Sequence, residues 1–161
     1  MSRPVTIRTA VTEDAPALDA VLRHLSRELE DPHNVDSGII ASAAFGANPV
    51  FHAVVADDGA AIAGFAFVSP VFSSVRGGAG AFISDLWVEP DWRGTGMGRR
   101  LLATAAALGT ERWHARFLKL SVYDRSPESQ AFYARLGFVA ASYQNVLYLT
   151  EDRFQRLADA P

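Results

Sequence analysis

AFISDLWVEPDWRGTGMGRRLLATAAALG, residues 81–109, is a strand, a glycine-rich turn and a helix in immediate succession. Phe82, Ile83, Leu86, Trp87 and Val88 are strong strand formers, and Pro90 ends the ladder by removing a donor. In the turn Arg93-Gly94-Thr95-Gly96-Met97-Gly98 the glycines stand two apart, so the backbone can adopt positive φ and bring successive N–H groups up to a ligand without Cβ obstruction. Beyond it Leu101, Leu102, Ala105 and Leu108 fall at helical spacing, and Gly109 reads as the end signal. The unpaired N–H groups of the helix start therefore point back into the turn, where a pyrophosphate binds well. Arg99 and Arg100 oppose the helix dipole unless an anion sits in front of them.

Two common phosphate loops are excluded. The Walker pattern ends in Gly-Lys-Ser/Thr, but Gly98 is followed by Arg99 and Arg100. The dinucleotide fingerprint needs a third glycine three positions after the second, where this chain has Arg99 or Leu101 according to the starting glycine. What remains is Arg-x-x-Gly-x-Gly on a strand-to-helix turn.

At Arg93, Gly96 and Gly98 the chain resembles the GNAT superfamily of acyl-coenzyme A dependent N-acetyltransferases, whose pyrophosphate loop has these fixed positions. LKLSVYDRSPESQAFYARLGFV, residues 118–139, is similar to that family's following strand and helix, with its Phe-Tyr-x-x-Leu-Gly-Phe ending. The resemblance implies acetyl-CoA as acyl donor, held along Leu86, Trp87 and Val88, by Arg93, Gly94, Thr95, Gly96, Met97, Gly98 and Arg99, and by Ser126 and Ser129 at the later helix. It also implies that Tyr133 protonates the departing thiolate, the other reading being an aromatic packed beside Phe132 and Phe138. Within the superfamily the segments GFAFVSPVFSS and AFISDLWVEPDWRGTGMG are nearest to the spermidine/spermine and diamine acetyltransferases, although Ser84 stands where many of those carry a second acid before Asp85. Dimers are common in the family, so a homodimer is one option.

Acyl transfer to an amine needs the amine neutral, so a base, or a water chain leading to one, is useful. Asp85 is the first candidate because an acid inside an apolar strand is costly unless it is paired, wetted or used; a structural hydrogen bond would also explain it. Glu89, two pleats along the same face, is the second. The four histidines, His24, His33, His52 and His114, lack a ligand spacing, so no metal is expected. No Gly-x-Ser-x-Gly elbow occurs.

The 161 residues, 49% apolar, suit a single domain over residues 1–161 with one core. A net charge of -3 argues against nucleic acid held through its phosphates. The absence of cysteine excludes disulfides and thiolate chemistry and fits a reducing compartment. Neither a signal-peptide core nor a membrane-length apolar run is present, so a cytoplasmic protein without membrane partners is expected, and an alanine-rich composition with Lys119 as the single lysine suggests a bacterial source.

Residues 5–10 read as the first strand, and Thr12 as the cap of a helix with Glu13 and Asp14 in its first turn and an apolar face of Leu18, Val21, Leu22, Leu25 and Leu29. Residues 38–45 read as a second helix. The acids Glu28, Glu30, Asp31 and Asp36 before it lie in the region that the resemblance assigns to the acceptor, where they either attract a cationic amine or solvate a helix end. Residues 50–56 and 61–72 read as strands joined by Asp57-Asp58-Gly59, with a second turn at Arg76-Gly77-Gly78. Later strands are predicted at 118–122 and 146–149, with a helix from Pro127 capped by Ser126 between them. The fold class is α/β: a mixed, mostly antiparallel sheet flanked by helices, as the GNAT-like acyl-CoA N-acyltransferase fold would have it. The function expected is acetyl transfer to a primary amine of a small molecule by direct attack in a ternary complex. Acetylation of a peptide N-terminus or protein lysine, and a non-catalytic acyl-CoA binder, are the alternatives.

Overall fold

Five strands form one sheet whose spatial order repeats the chain order. They are β1 (Thr6–Thr9), β2 (His52–Asp57), β3 (Ile62–Ser73), β4 (Gly78–Val88) and β5 (Leu118–Leu120). The computed structural model describes residues 4–160, in two compact units that divide between Tyr123 and Asp124. All five strands lie in the first unit, together with α1 (Ala15–Leu29), α2 (Ser37–Phe45) and α3 (Met97–Trp113).

The two predicted turns make the meander. Gly59 and Gly77 both have positive φ, and the Asp57 and Asp58 carboxylates accept from the N–H groups of Gly59, Ala60 and Ala61, which satisfies the backbone of the first turn. β1 to β4 pair antiparallel, and β5 joins β4 parallel after the α3 crossover. Because helices cover both faces, residues 53–56 of β2 and 62–68 of β3 are apolar and buried at every position rather than at alternate ones. Leu18, Val21, Leu22 and Leu25 of α1 and Ile40 of α2 share one buried cluster with Ala53, Val55, Phe65, Phe67 and Trp87. The other face meets α3, whose Leu101 Cδ1 would lie 3.1 Å from a Cβ placed on Gly64.

Several expectations are corrected. Gly109 lies inside α3 rather than at its end: its missing side chain lets the helix sit against β4, where a Cβ would come 2.9 Å from that of Ala81. The helix ends four residues later, with His114 at φ 54. Thr12 does not cap α1; it opens a 3-10 turn (Thr12–Asp14), and the Asp14 carboxylate accepts from Val11 N–H at 2.8 Å. The strand expected at 118–122 stops at Leu120.

The second unit contains α4 (Pro127–Arg135) and α5 (Glu151–Ala158). Pro127 opens α4 as predicted, but Ser126 makes no side-chain cap bond. Residues 146–149 form no strand, and the second unit has none among its described residues. α5 was not foreseen, although Thr150 followed by Glu151 and Asp152 is a helix-start pattern, with acids at the positive end of the dipole. Among the described residues no helix is long and apolar enough to cross a membrane.

Candidate active site

The site begins with an irregularity in β4. Phe67 pairs with Asp85 but Val68 pairs with Ile83, so Ser84 is an extra residue, a bulge. Strand side chains alternate faces, and one inserted residue reverses the alternation. Ala81 and Ile83 are buried on the α3 side, whereas Asp85 is placed opposite Phe67, on the face that carries Trp87 and α1. Pairing of β4 with β5 covers Ala81 to Ile83 only. From Ser84 to Val88 the β4 edge therefore has no strand beside it among the described residues, leaving a peptide edge that can hydrogen-bond an extended ligand.

Asp85 accepts a 2.7 Å hydrogen bond from Ser84 Oγ. Burial raises its carboxyl above the usual range; the Ser84 bond opposes this, and the negative charge of Asp31 adds to the rise. Asp31 in turn accepts a 2.9 Å bond from Tyr123 Oη. Glu89 lies just beyond β4, half-buried, and its N–H bonds to Ala63 O at 2.9 Å.

The cradle follows directly. Gly94 and Gly96 have φ of 76° and 85°, in the left-handed region, and a Cβ on either meets nothing within 4 Å. Gly98 is the second residue of α3 and is helical, so two glycines of the three take the positive φ. Thr95 Oγ1 donates to Trp92 O at 2.6 Å and holds the turn. The first intrahelical bond runs from Arg100 N to Gly96 O, so the N–H groups of Met97, Gly98 and Arg99 have no acceptor within the helix. Arg99 is exposed beside them. Open space, orphan donors and the positive end of a 17-residue helix suit a diphosphate, so these residues fit acetyl-CoA. When bound, it supplies an acetyl thioester.

Other predicted residues are placed differently from their expected roles. The Trp87 indole is buried against α1, stacked on His24 at 5.6 Å, with Nε1–H donating to Glu28 Oε1 at 3.0 Å. The Trp87 backbone also faces inward: Glu89 N–H bonds to Ala63 O and Trp87 O points at Gly64 of β3, so the peptide groups at the open β4 edge are those of Leu86 and Val88, and Trp87 offers a ligand there neither side chain nor backbone. Arg93 Nη2 donates to both Glu28 oxygens, at 2.8 and 2.9 Å, and Nε donates to Val88 O at 2.8 Å. Of the acids ahead of α2, Glu28 is thus tied to Arg93 and Trp87, and Asp36 caps α2 through Ile39 N–H at 2.8 Å. Glu30 ends α1 at φ 56, which leaves Asp31 as the one coupled to Asp85. The sequence reading missed the Glu28 contacts and the Ser84 bulge; an acid in the last turn of a helix, where the dipole disfavours it, was the available signal for the first.

In the second unit Tyr133 packs edge-on to Phe138 at 5.4 Å and beside Phe132 at 5.1 Å, and burial pushes its phenol up to about 12. Ser129 is exposed on the first turn of α4. Among the described residues no group of three His, Cys, Asp or Glu could hold a metal. His33 bonds Asp19 and Ser26, and His52 lies against Trp113.

The chain is 25% identical over 143 residues to the thialysine N-epsilon-acetyltransferase of Sus scrofa, covering 83% of each chain. Its fold is similar to that of an integron cassette protein from the mobile metagenome of V. cholerae (TM-score 0.79, 18% identity, 99% of each chain). It is also similar to that of an aminoglycoside acetyltransferase from an uncultured soil metagenomic sample, solved with sisomicin (TM-score 0.73, 18% identity, 91% of this chain and 95% of that one). The sequence model of the acetyltransferase (GNAT) family matches residues 18–138, from α1 through the cradle to Phe138. With a strand-to-helix anion cradle, a β4 edge left open past Ile83 and a family match over most of its length, the chain belongs to the acetyltransferase (GNAT) family.

Proposed function

We propose that this protein transfers the acetyl group of acetyl-CoA to a primary amine of a small molecule, by direct attack in a ternary complex. The observation that carries the reading is the open cradle at Gly94 to Arg99, which continues from the unpaired edge of β4. The whole chain acts as one acetyltransferase domain, a reading supported by a family match that begins in α1 of the first unit and extends past α4 into the second, as far as Phe138.

The first-turn N–H groups of α3, with Arg99, hold the pyrophosphate, and the outward peptide groups of Leu86 and Val88 on the open β4 edge hold the extended arm through backbone hydrogen bonds. Asp85 takes the proton of the incoming ammonium, directly or through water; its raised affinity for a proton suits that role. Glu89 is the alternative base. The neutral amine nitrogen would then form the C–N bond as the C–S bond breaks, shedding its second proton to water, from which the spent acid is restored. Tyr133, at the motif position of the family's acid and neutral over the whole working range, returns a proton to the sulfur. Ser126 and Ser129 stand as further contacts to the cofactor on the resemblance alone.

The acceptor favoured is one with a second positive charge, as in diamines. Asp31, positioned by Tyr123 and electrostatically coupled to Asp85, supports this, as does the likeness to thialysine N-epsilon-acetyltransferases. The test is thiol release from acetyl-CoA across a panel of diamines, monoamines, aminoglycosides and peptides, with Gly96→Val as the control that ties turnover to the cradle. Release with diamines above the no-amine background, lost in the control, supports the reading. Tight acetyl-CoA binding with no turnover on any amine would replace it with a non-catalytic binder.

A further inference from the structure

Glu28 sits in the last turn of α1, where the helix dipole disfavours a carboxylate, so something positive must face it. Three hydrogen bonds converge there. Trp87 is 3% exposed, and a buried indole N–H needs an acceptor; Glu28 Oε1 is that acceptor, at 3.0 Å. The same carboxylate takes Arg93 Nη2 on both its oxygens, at 2.8 and 2.9 Å. Arg93 Nε meanwhile holds the carbonyl of Val88, the last residue of β4, at 2.8 Å.

Arg93 immediately precedes the first cradle glycine, and its guanidinium spans the end of β4 and the end of α1. Its charge is neutralised by Glu28 and its fork is engaged in two directions, so it resembles a brace more than a hand extended toward an anion. We infer that Glu28 is a positioning residue for the cofactor loop, acting through Arg93: it is fixed at one side by the buried indole and at the other sets where the cradle begins. The inference rests on the reading of the loop as the pyrophosphate site.

Two roles for Arg93 predict opposite signs. If Arg93 touches the pyrophosphate, Glu28 competes for it, and Glu28→Gln should tighten the anionic cofactor by removing both a competitor and a negative charge. If Glu28 positions the loop, the same change weakens binding although it makes the site more positive. Gln keeps an oxygen for the indole N–H, so the fold is retained, which a thermal melt checks.

The experiment is calorimetric titration of acetyl-CoA into the parent, Glu28→Gln, Arg93→Ala, Arg93→Lys and the double variant Glu28→Gln/Arg93→Ala. The pair is half-exposed, so the expected weakening for Glu28→Gln is modest, about three- to tenfold in Kd, with kcat at saturating cofactor changed less than about twofold. The double variant should bind no worse than Arg93→Ala alone, because both remove one brace. Lys keeps the charge but lacks the planar fork whose separate nitrogens serve Val88 O and Glu28 at once, so Arg93→Lys should behave like Arg93→Ala. Unchanged or tighter binding in Glu28→Gln, additive losses in the double variant, or near-parental binding in Arg93→Lys would each overturn the inference. A parent that binds no acetyl-CoA would overturn the reading of the loop itself, and the inference with it.

Discussion

Burial and the charge of Asp31 both raise the Asp85 carboxyl, while its bond from Ser84 holds it back. A carboxyl whose folded pKa is raised contributes stability that is fully present below its unfolded value, about 3.9, and lost as pH rises through the folded value. At neutral pH the ionised acid therefore weighs against folding. Asp85→Asn should melt a few degrees higher than the parent at pH 7–8, with the difference closing toward pH 4; melting curves across that range check it. Turnover should fall in the same variant and partly recover as pH rises and free amine becomes abundant, a rescue that an acid used only for packing would not show. Tyr133→Phe isolates a different atom, because it keeps the ring against Phe132 and Phe138 and deletes the hydroxyl. A thiol of pKa about 8.5 is a fair leaving group, so steady-state kinetics should show a loss near the lower end of the 10²–10⁴-fold span of general acids, about 10²-fold in kcat. A turnover within about threefold of the parent would withdraw the acid role.

Among the elements, α3 shows what a single sequence conceals. Gly109 was read as a terminator because glycine so often ends helices, but here the absent Cβ serves a contact with Ala81 on β4, a residue far away in sequence. Gly109→Ala gains roughly 1 kcal/mol of helix propensity, yet its Cβ must displace a strand whose Ala81 is fully buried. The expected net result is a loss of about 1 kcal/mol in chemical denaturation. The cradle was legible because Gly94, Gly96 and the start of α3 act locally, whereas the Ser84 bulge depends on which residue of β3 lies opposite. The strand assigned to 146–149 rested on the strand-forming side chains of Val146, Leu147, Tyr148 and Leu149 alone, and a single sequence does not show which partner a strand would pair with. At the other end of the sheet Arg8 joins Asp14 and Asp57, at 2.7 and 2.9 Å; it is the main cause that lowers the Asp14 carboxyl, while Asp57 is lowered first by the Gly59 N–H and then by Arg8. Carboxyls lowered in this way stabilise above their unfolded value and cease to as pH falls through the folded one. Arg8→Ala should cost about 1–2 kcal/mol at pH 7 and much less near pH 3, measured by denaturant melts at both.

For the molecule as a whole, fold class and activity were legible because two motifs in the right order stand on elements whose periodicity is clear; the acceptor was not, because the side chains proposed to meet it, such as Asp31 and Tyr123, are brought together from positions distant in sequence. The sheet whose spatial order repeats the chain order has a kinetic consequence. β1 to β4 can be laid down as successive neighbours, and the hairpins β2–β3 and β3–β4 need only short loops to close, while β5 arrives after the 17-residue α3 has been made. Low separation between partners speeds the first contacts, so the folding nucleus is expected in the β2–β4 meander, with docking of α3 and β5 coming later. Val54→Ala, in the buried centre of β2, should mainly slow folding, by about three- to tenfold, whereas Leu102→Ala on α3 should mainly speed unfolding. Stopped-flow chevrons on the two variants decide it, and equal effects on both arms would place α3 in the nucleus. The loop proposed to hold the cofactor would then be among the last parts of the first unit to take shape, and on that reading a nascent chain could not bind acetyl-CoA until its sheet was already standing.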